Sequence, residues 1–481
     1  MSGRKSAPCE ECPRSTSATK SRSVGVSSSA SPQRRNLGLV LIAIATGVLS
    51  ALVVRQKSPI EKAGPQQDGA PALAVSTRRP SEETETALRF YLERVRRDPE
   101  ETRSLNALAE LYLRRVRETG NEDHLPLALN AAHASLAAVG ARQNIGGLTV
   151  LAQAEFSNHD FAAARDHALQ LAQLNPRKSE PYAILGDALL ELGNYDEAAE
   201  AFQKMQMFGQ KDAGVETRLA RLAVLRGATD EARQHFTTAL NLLFALPDPP
   251  VETVAWCRWQ LGETAFAVGD YVAAENHYRD VLQNAPSYFR ALGSMGRVCA
   301  ARGDTATAIS FYEQAVRIVP VVDFMAALGD LYQLSGRQRD AAVRYELVEQ
   351  LGEHSKKVHG TPYDRHLALF LADHDLKAEE AYTLARGEFD AGRRDIYGAD
   401  ALAWTALKSG RVDEAQAAIR EALRLGTLDA RLFYHAGMIA RAAGDKTAAV
   451  DYLQRALTLN PGFDLLQSES ARKALQDLQT R

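Results

Sequence analysis

One interval constrains this chain more than any other feature. The stretch LGNYDEAAEAF at Leu192–Phe202 is followed by GATDEARQHF at Gly227, GDYVAAENHY at Gly269, GDTATAISFY at Gly303 and GRQRDAAVRY at Gly336. GRVDEAQAAI at Gly410 and GDKTAAVDYL at Gly444 continue the series, and a variant, HDFAAARDHA, precedes it at His159. The alanine within each copy sets the spacing. Ala164, Ala198, Ala232, Ala274, Ala308, Ala341, Ala381, Ala415 and Ala449 are separated by 34, 34, 42, 34, 33, 40, 34 and 34 residues, with a weaker copy at Ala128. A period in this range predicts stacked helical pairs, each unable to bury its apolar face except against its neighbours.

Each recurring residue type has a physical role. The glycine, as at Gly193 or Gly269, ends a first helix where the chain must pass through the left-handed region. The alanine lies on the second helix, where a small side chain lets paired helices approach. An aromatic four residues later, at Phe202, Phe236, Tyr278, Tyr312 and Tyr345, falls on the same face and fills the space between units. Pro176, Pro286, Pro320 and Pro461 follow second helices and stop them. Leu185-Gly186, Leu261-Gly262 and Leu328-Gly329 place a small contact on first helices.

These residues resemble the tetratricopeptide repeat (TPR) family, whose pattern is W/Y, L-G, Y, G-x-Y, A, F, A, P. Tyr182, Leu185, Gly186, Tyr195, Ala198 and Phe202 form the fullest copy. The resemblance covers roughly residues 98 to 465. It implies an all-α, right-handed superhelical TPR solenoid of about ten helix-turn-helix units; the uncharged run Leu37–Val54 adds the expectation of one transmembrane helix before it. ADALAW and LFYHAGMIA, between Asp400 and Ala440, also look like the C-terminal part of certain bacterial TPR proteins, a group with no catalytic activity attached. The unit starting near Pro362 lacks the L-G pair, and the first has a lengthened loop, ETGNED.

The 481 residues exceed a single compact core, a limit that a repeat array avoids. The net charge of −3 conceals a division: residues 1–80 hold 12 Lys+Arg against 4 Asp+Glu, giving +8, so the rest carries −11. An acidic solenoid suits phosphate backbones poorly, which argues against nucleic acid as a partner. Arg outnumbers Lys by 44 to 13, which together with abundant alanine suggests a GC-rich bacterial genome. Cys257 and Cys299 fall near positions 3 and 11 of adjacent first helices. That is about 12 Å apart along the axis and about 10 Å sideways, too far for a disulfide and therefore predicting free thiols. Cys9 and Cys12 form a lone C-x-x-C with no second pair.

The expected organisation is a disordered basic tail over 1–36, a transmembrane signal anchor over 37–54 and a flexible linker over 55–80. The solenoid follows over 81–465, with a C-terminal capping helix over 466–481. Leu37–Val54, LGLVLIAIATGVLSALVV, holds 18 residues without a charge, just enough to span a bilayer. The long region before it, and the distance to the A-x-A at Ala72–Ala74, favour an uncleaved anchor over a cleaved signal peptide. Four Lys/Arg precede the span and three follow within about 20 residues, favouring a cytoplasmic N-terminus. This would put the repeats on the periplasmic side of a bacterial inner membrane. The solenoid is expected to open on a half-unit, Glu83–Arg97, with Ala87 and Tyr91 in second-helix positions. It closes on a polar helix near Gln467–Gln479.

No phosphate-cradling loop, nucleophile elbow or H-E-x-x-H occurs. His354, His359, His366, Asp373, His374 and Asp375 cluster around the 40-residue interval. Spacings of 5, 7 and 8 do not bring these histidines onto one helix face, so the reading is solvated loop histidines, with no metal, cofactor or catalytic residue. Binding has better support. The resemblance implies a concave groove lined by first-helix positions 2, 5, 9, 12 and 13. Trp256 and Trp259 take positions 2 and 5 of one unit and Trp404 position 9 of another. Arg221, Glu263, Arg290, Arg297, Tyr397, Asp400 and Tyr434 share the lining. Trp, Tyr and Arg dominate interface hot spots. Against this stands the alternative that Trp256 and Trp259 pack on the 42-residue interval, whose extra chain includes FALPDPPVE. Asn106 stands without a matching Lys set, so capture of a terminal carboxylate is not expected. The sequence therefore reads as a membrane-tethered, non-catalytic scaffold or adaptor that holds an extended or helical protein segment. The alternative is a regulatory or substrate-delivery subunit of an envelope enzyme.

Overall fold

The computed structural model describes residues 80–209, 212–359 and 365–480. The tail, Leu37–Val54 and the C-x-x-C lie outside the described residues. No described helix is long and apolar enough to cross a membrane. All regular structure among the described residues is helical. Between Thr102 and Leu459 the helices form ten consecutive pairs, each second helix packed on its own first helix and on the next unit.

The period-34 alanines are the most completely buried positions of these pairs. Ala128, Ala164, Ala198, Ala232, Ala274, Ala308, Ala381, Ala415 and Ala449 are fully buried, and Ala341 nearly so. Phe202 and Tyr278 are likewise shut off from solvent. The L-G glycines explain how those rings fit: a Cβ on Gly186 would overlap the Phe202 ring, on Gly262 the Tyr278 ring, and on Gly329 the Tyr345 ring. Small and large residues thus interlock between the two helices of a pair.

First helices end as the glycines predict, with Gly193 at φ 80 and Gly269 at φ 77. The His159 copy makes the same turn at φ 62 without a glycine. Asp160, Asp270, Asp304 and Asp445 then cap the following helices by accepting a backbone N–H three residues on. The irregular intervals have visible causes. The 42-residue spacing reflects two longer helices, Thr229–Phe244 and Val251–Ala267. The 40-residue spacing reflects the 22-residue helix Gln338–His359. In the opening helix Pro80–Arg97 the buried residues are Thr84 and Leu88, so the expected position of Ala87 is displaced by one. The closing helix Gln467–Thr480 buries Ala471 and Ala474.

The feature that most affects the groove is long-range. Six units after a given turn, the stack comes back alongside itself. The Tyr195 hydroxyl accepts from Ile396 N at 2.8 Å, and Arg424 donates to the Gly193 carbonyl at 3.0 Å. Arg393 pairs with Glu191 at 2.8 Å and lies over the Phe161 ring. Thr427 donates to the Leu225 carbonyl. Asn460 donates to the Phe266 carbonyl at 2.7 Å, and Tyr271 accepts from Gly462 N at 2.8 Å. The turn glycines make this possible. A Cβ on Gly193 would strike the Arg394 carbonyl, and one on Gly227 would come within 2.5 Å of the Gly426 carbonyl oxygen. We call this line of contacts the seam. It turns an open concave groove into a walled lumen.

Candidate functional site

The lumen is walled by first helices and by the segments that lead into them. Two cavities occupy it, of about 790 and 470 Å³. Val224, Trp259, Gln260, Arg290, Arg365 and Tyr397 line both, and so mark the passage where they meet.

Seven of the ten sequence-predicted groove residues reach this space with side chains at least partly open. Trp259 donates from Nε1 to Ser294 Oγ at 2.9 Å, and Arg290 lies over its ring at 5.5 Å and over Phe289 at 5.0 Å. Glu263 accepts from Arg297 at 2.5 Å, from Ser294 at 2.7 Å and from Tyr278 at 2.7 Å. Burial alone would raise the Glu263 carboxyl, but the Arg297 guanidinium and these two hydroxyls hold it below the usual carboxylate range. Arg221 pairs with Glu191, which also holds Arg393 of the seam. Burial pushes the Tyr397 phenol well above its ordinary value, with Asp429 adding to the effect. Trp256 meets Phe236 edge-on at 6.0 Å and lines the smaller cavity. It therefore both packs on the helix of the 42-residue interval and faces the lumen.

The other three are placed differently. Trp404 and Tyr434 are not on the groove surface but in the core, 2% and 4% exposed. The Trp404 indole stacks on the His435 imidazole at 4.2 Å and donates to Asp373 at 2.7 Å, so its volume fills the space between neighbouring first helices. Asp400 is buried and accepts from His435 Nδ1 at 2.8 Å. A polar type at a groove position thus serves helix-to-helix pairing here.

Sequence reasoning missed most of the opposite wall. Asp323 pairs with His366 at 2.9 Å, Asp330 with His374 at 2.7 Å, and Arg431 with Asp464 at 3.3 Å. With Asp400–His435, three His–Asp pairs tie adjacent first helices together. Two histidines of the sequence cluster are thereby engaged, but as partners of aspartates from other units. Burial raises the carboxyls of Asp373 and Asp429. Arg365 is held by Glu388 at 2.9 Å and by Asp395 at 2.7 Å. The partners lie 23 to 44 residues apart, so only the repeat register could have pointed to them. No group of three or more His, Cys, Asp or Glu able to hold a metal occurs among the described residues. Cys257 and Cys299 are free thiols.

Comparison with known proteins gives a consistent family. One tetratricopeptide repeat model matches residues 149–214, 260–322 and 401–462, and a second matches 212–287. No curated protein matches the chain. Among solved structures it is similar to pilF of Pseudomonas aeruginosa, with 14% identity, 44% of this chain and 91% of that one covered, and a TM-score of 0.36. It is similar to PilW, described as a widely conserved type IV pilus biogenesis factor, with 17% identity, 42% and 91% covered, and a TM-score of 0.36. It is also similar to MamA, with 18% identity, 35% and 93% covered, and a TM-score of 0.28.

Proposed function

The chain belongs to the tetratricopeptide repeat proteins, and we propose that it is a non-catalytic scaffold that holds an extended or helical segment of another protein inside its lumen. The observation that carries this reading is the enclosure. Aromatic and arginine side chains from several consecutive first helices face one continuous space, and the seam walls that space from the outer surface. Recognition there is static. Trp256 and Trp259 offer apolar faces, and Arg290 offers directional donors, the residue types in which binding energy concentrates.

In this reading Leu37–Val54 tethers the scaffold to a bacterial inner membrane, with the repeats on the periplasmic side. The protein then presents a captured segment to an envelope assembly. Substitution Trp259→Ala tests the binding role. Retention of the co-purified partner from detergent-solubilised membranes should fall by about 30-fold, the equivalent of ~2 kcal/mol, while the melting temperature changes little. Undiminished retention together with a large drop in melting temperature would make Trp259 a packing residue and remove the main support for the lumen as a binding site.

A further inference from the structure

The lumen arginines are not equivalent. Arg221 is engaged by Glu191, Arg297 by Glu263, Arg365 by Glu388 and Asp395, and Arg431 by Asp464. Arg290 has no carboxylate partner among the described residues. It is nonetheless positioned, because its guanidinium lies over the Trp259 and Phe289 rings. Such stacking leaves the in-plane N–H donors of the fork available. Two further groups lining the same passage, the Gln260 amide and the Tyr397 hydroxyl, have no hydrogen-bond partner among the described residues. Unused donors therefore collect where the two cavities join, beside the exposed faces of the paired tryptophans.

We infer that this passage binds an acidic side chain, Asp or Glu, within an internal segment of the partner protein, with an aromatic or aliphatic neighbour lying against Trp256 and Trp259. This rests on the lumen being the partner site. A carboxylate can take two parallel N–H donors from Arg290, the bidentate geometry that distinguishes arginine from lysine. Gln260 and Tyr397 supply donors for its remaining lone pairs. No existing ion pair has to be broken for it to enter, as would be required at Arg221, Arg297, Arg365 or Arg431. The wider wall is rich in aspartate, so the choice of an acidic residue comes from the local unpaired cation rather than from the net field of the lumen.

The test is a selection from random peptide libraries on the full-length chain in detergent, with peptides displayed either between two flanking domains or with a free C-terminus. Wild type should enrich one Asp or Glu beside an apolar residue in the flanked format. Arg290 is exposed, so its variants should fold. Arg290→Ala should abolish the acidic preference and weaken selected peptides by at least about tenfold. Arg290→Glu should shift enrichment at that position to Lys or Arg. Enriched peptides without an acidic preference, or with one that survives in Arg290→Ala, overturn the inference while leaving the lumen reading in place. So does enrichment confined to free C-termini, or selection of basic peptides by wild type. Failure of wild type to enrich any peptide overturns the lumen reading and this inference together.

Discussion

The turn glycines allow the seam to be weighed against a matched internal control. Gly193, Gly227 and Gly269 have φ of 80, 70 and 77, and Gly303, Gly336, Gly410 and Gly444 have φ of 81, 76, 80 and 82. Replacement by alanine forces a Cβ into the left-handed region in all seven, costing about 1 kcal/mol each. The surroundings differ. At Gly303, Gly336, Gly410 and Gly444 the new Cβ meets nothing within 4 Å. At Gly227 it would lie 2.5 Å from the Gly426 carbonyl oxygen and at Gly269 2.9 Å from that of Leu459, while at Gly193 it would collide with the Arg394 carbonyl. Backbone must then shift, which puts the Tyr195–Ile396 and Arg424–Gly193 hydrogen bonds, and their equivalents at Gly227 and Gly269, at risk. Overpacking and a lost hydrogen bond should add about 1–3 kcal/mol. Urea unfolding of the full-length variants, followed by circular dichroism, should show midpoint shifts two- to fourfold larger for the first three than for the last four. Equal shifts across all seven would mean that the stack does not close on itself in solution, and the walled lumen would revert to an open groove.

Other perturbations report on the interior. Trp404→Ala should destabilise the protein by about 3–5 kcal/mol, because a large core side chain and its stacking on His435 are lost; a melting temperature near wild type would return Trp404 to the groove surface. His374 is partly buried; burial opposes its protonation, but the hydrogen bond and charge of Asp330 prevail and raise its pKa above 6.5. Stability from this pair is therefore fully present below pH 6.5 and is lost as the pH rises through the raised value. Asp330→Asn should flatten that decline in a pH series of thermal melts, and an unchanged pH profile would contradict the pairing. Burial pushes the Cys257 thiol up to about 12, so in the native protein a thiol-specific reagent should modify Cys299 well before Cys257; equal rates would show that the Cys257 helix is not packed as described.

What the sequence made legible follows the distance over which each interaction acts. The helix pairs, the left-handed glycines and the buried alanines all belong to one unit of about 34 residues, and each leaves a local mark at a fixed interval. Trp256, Trp259 and Arg290 were readable as lumen residues because groove positions follow from the repeat register. Trp404 was misread for the same reason. Register fixes the direction in which a side chain leaves its helix, not whether the neighbouring unit closes over it, and here His435 does so. The seam left no mark at a fixed interval. Its partners, such as Tyr195 with Ile396 and Tyr271 with Gly462, are separated by 201 and 191 residues. They depend on the small rotation between units accumulated over six of them, a sum that no single unit specifies. Three of the four seam turns, those at His159, Gly193 and Gly269 but not Gly227, carry one trace, an aromatic residue two positions on. Phe161, Tyr195 and Tyr271, which open second helices, all reach the next turn of the stack, whereas the units with open turn glycines carry Thr305, Gln338, Val412 and Lys446 at that position.

That the lumen, rather than the outer surface, holds a protein partner is the proposal on which the binding roles above depend. It is tested most directly by photo-crosslinking in membranes of cells that make the full-length chain, with a photoreactive residue placed at Gln260 in the lumen or at Val272 on the exposed outer face. One dominant protein adduct is expected from Gln260, identified by mass spectrometry, with its crosslinked peptide carrying the contact segment, and none in common from Val272. An adduct from Val272 alone, or the same diffuse set from both positions, would contradict it.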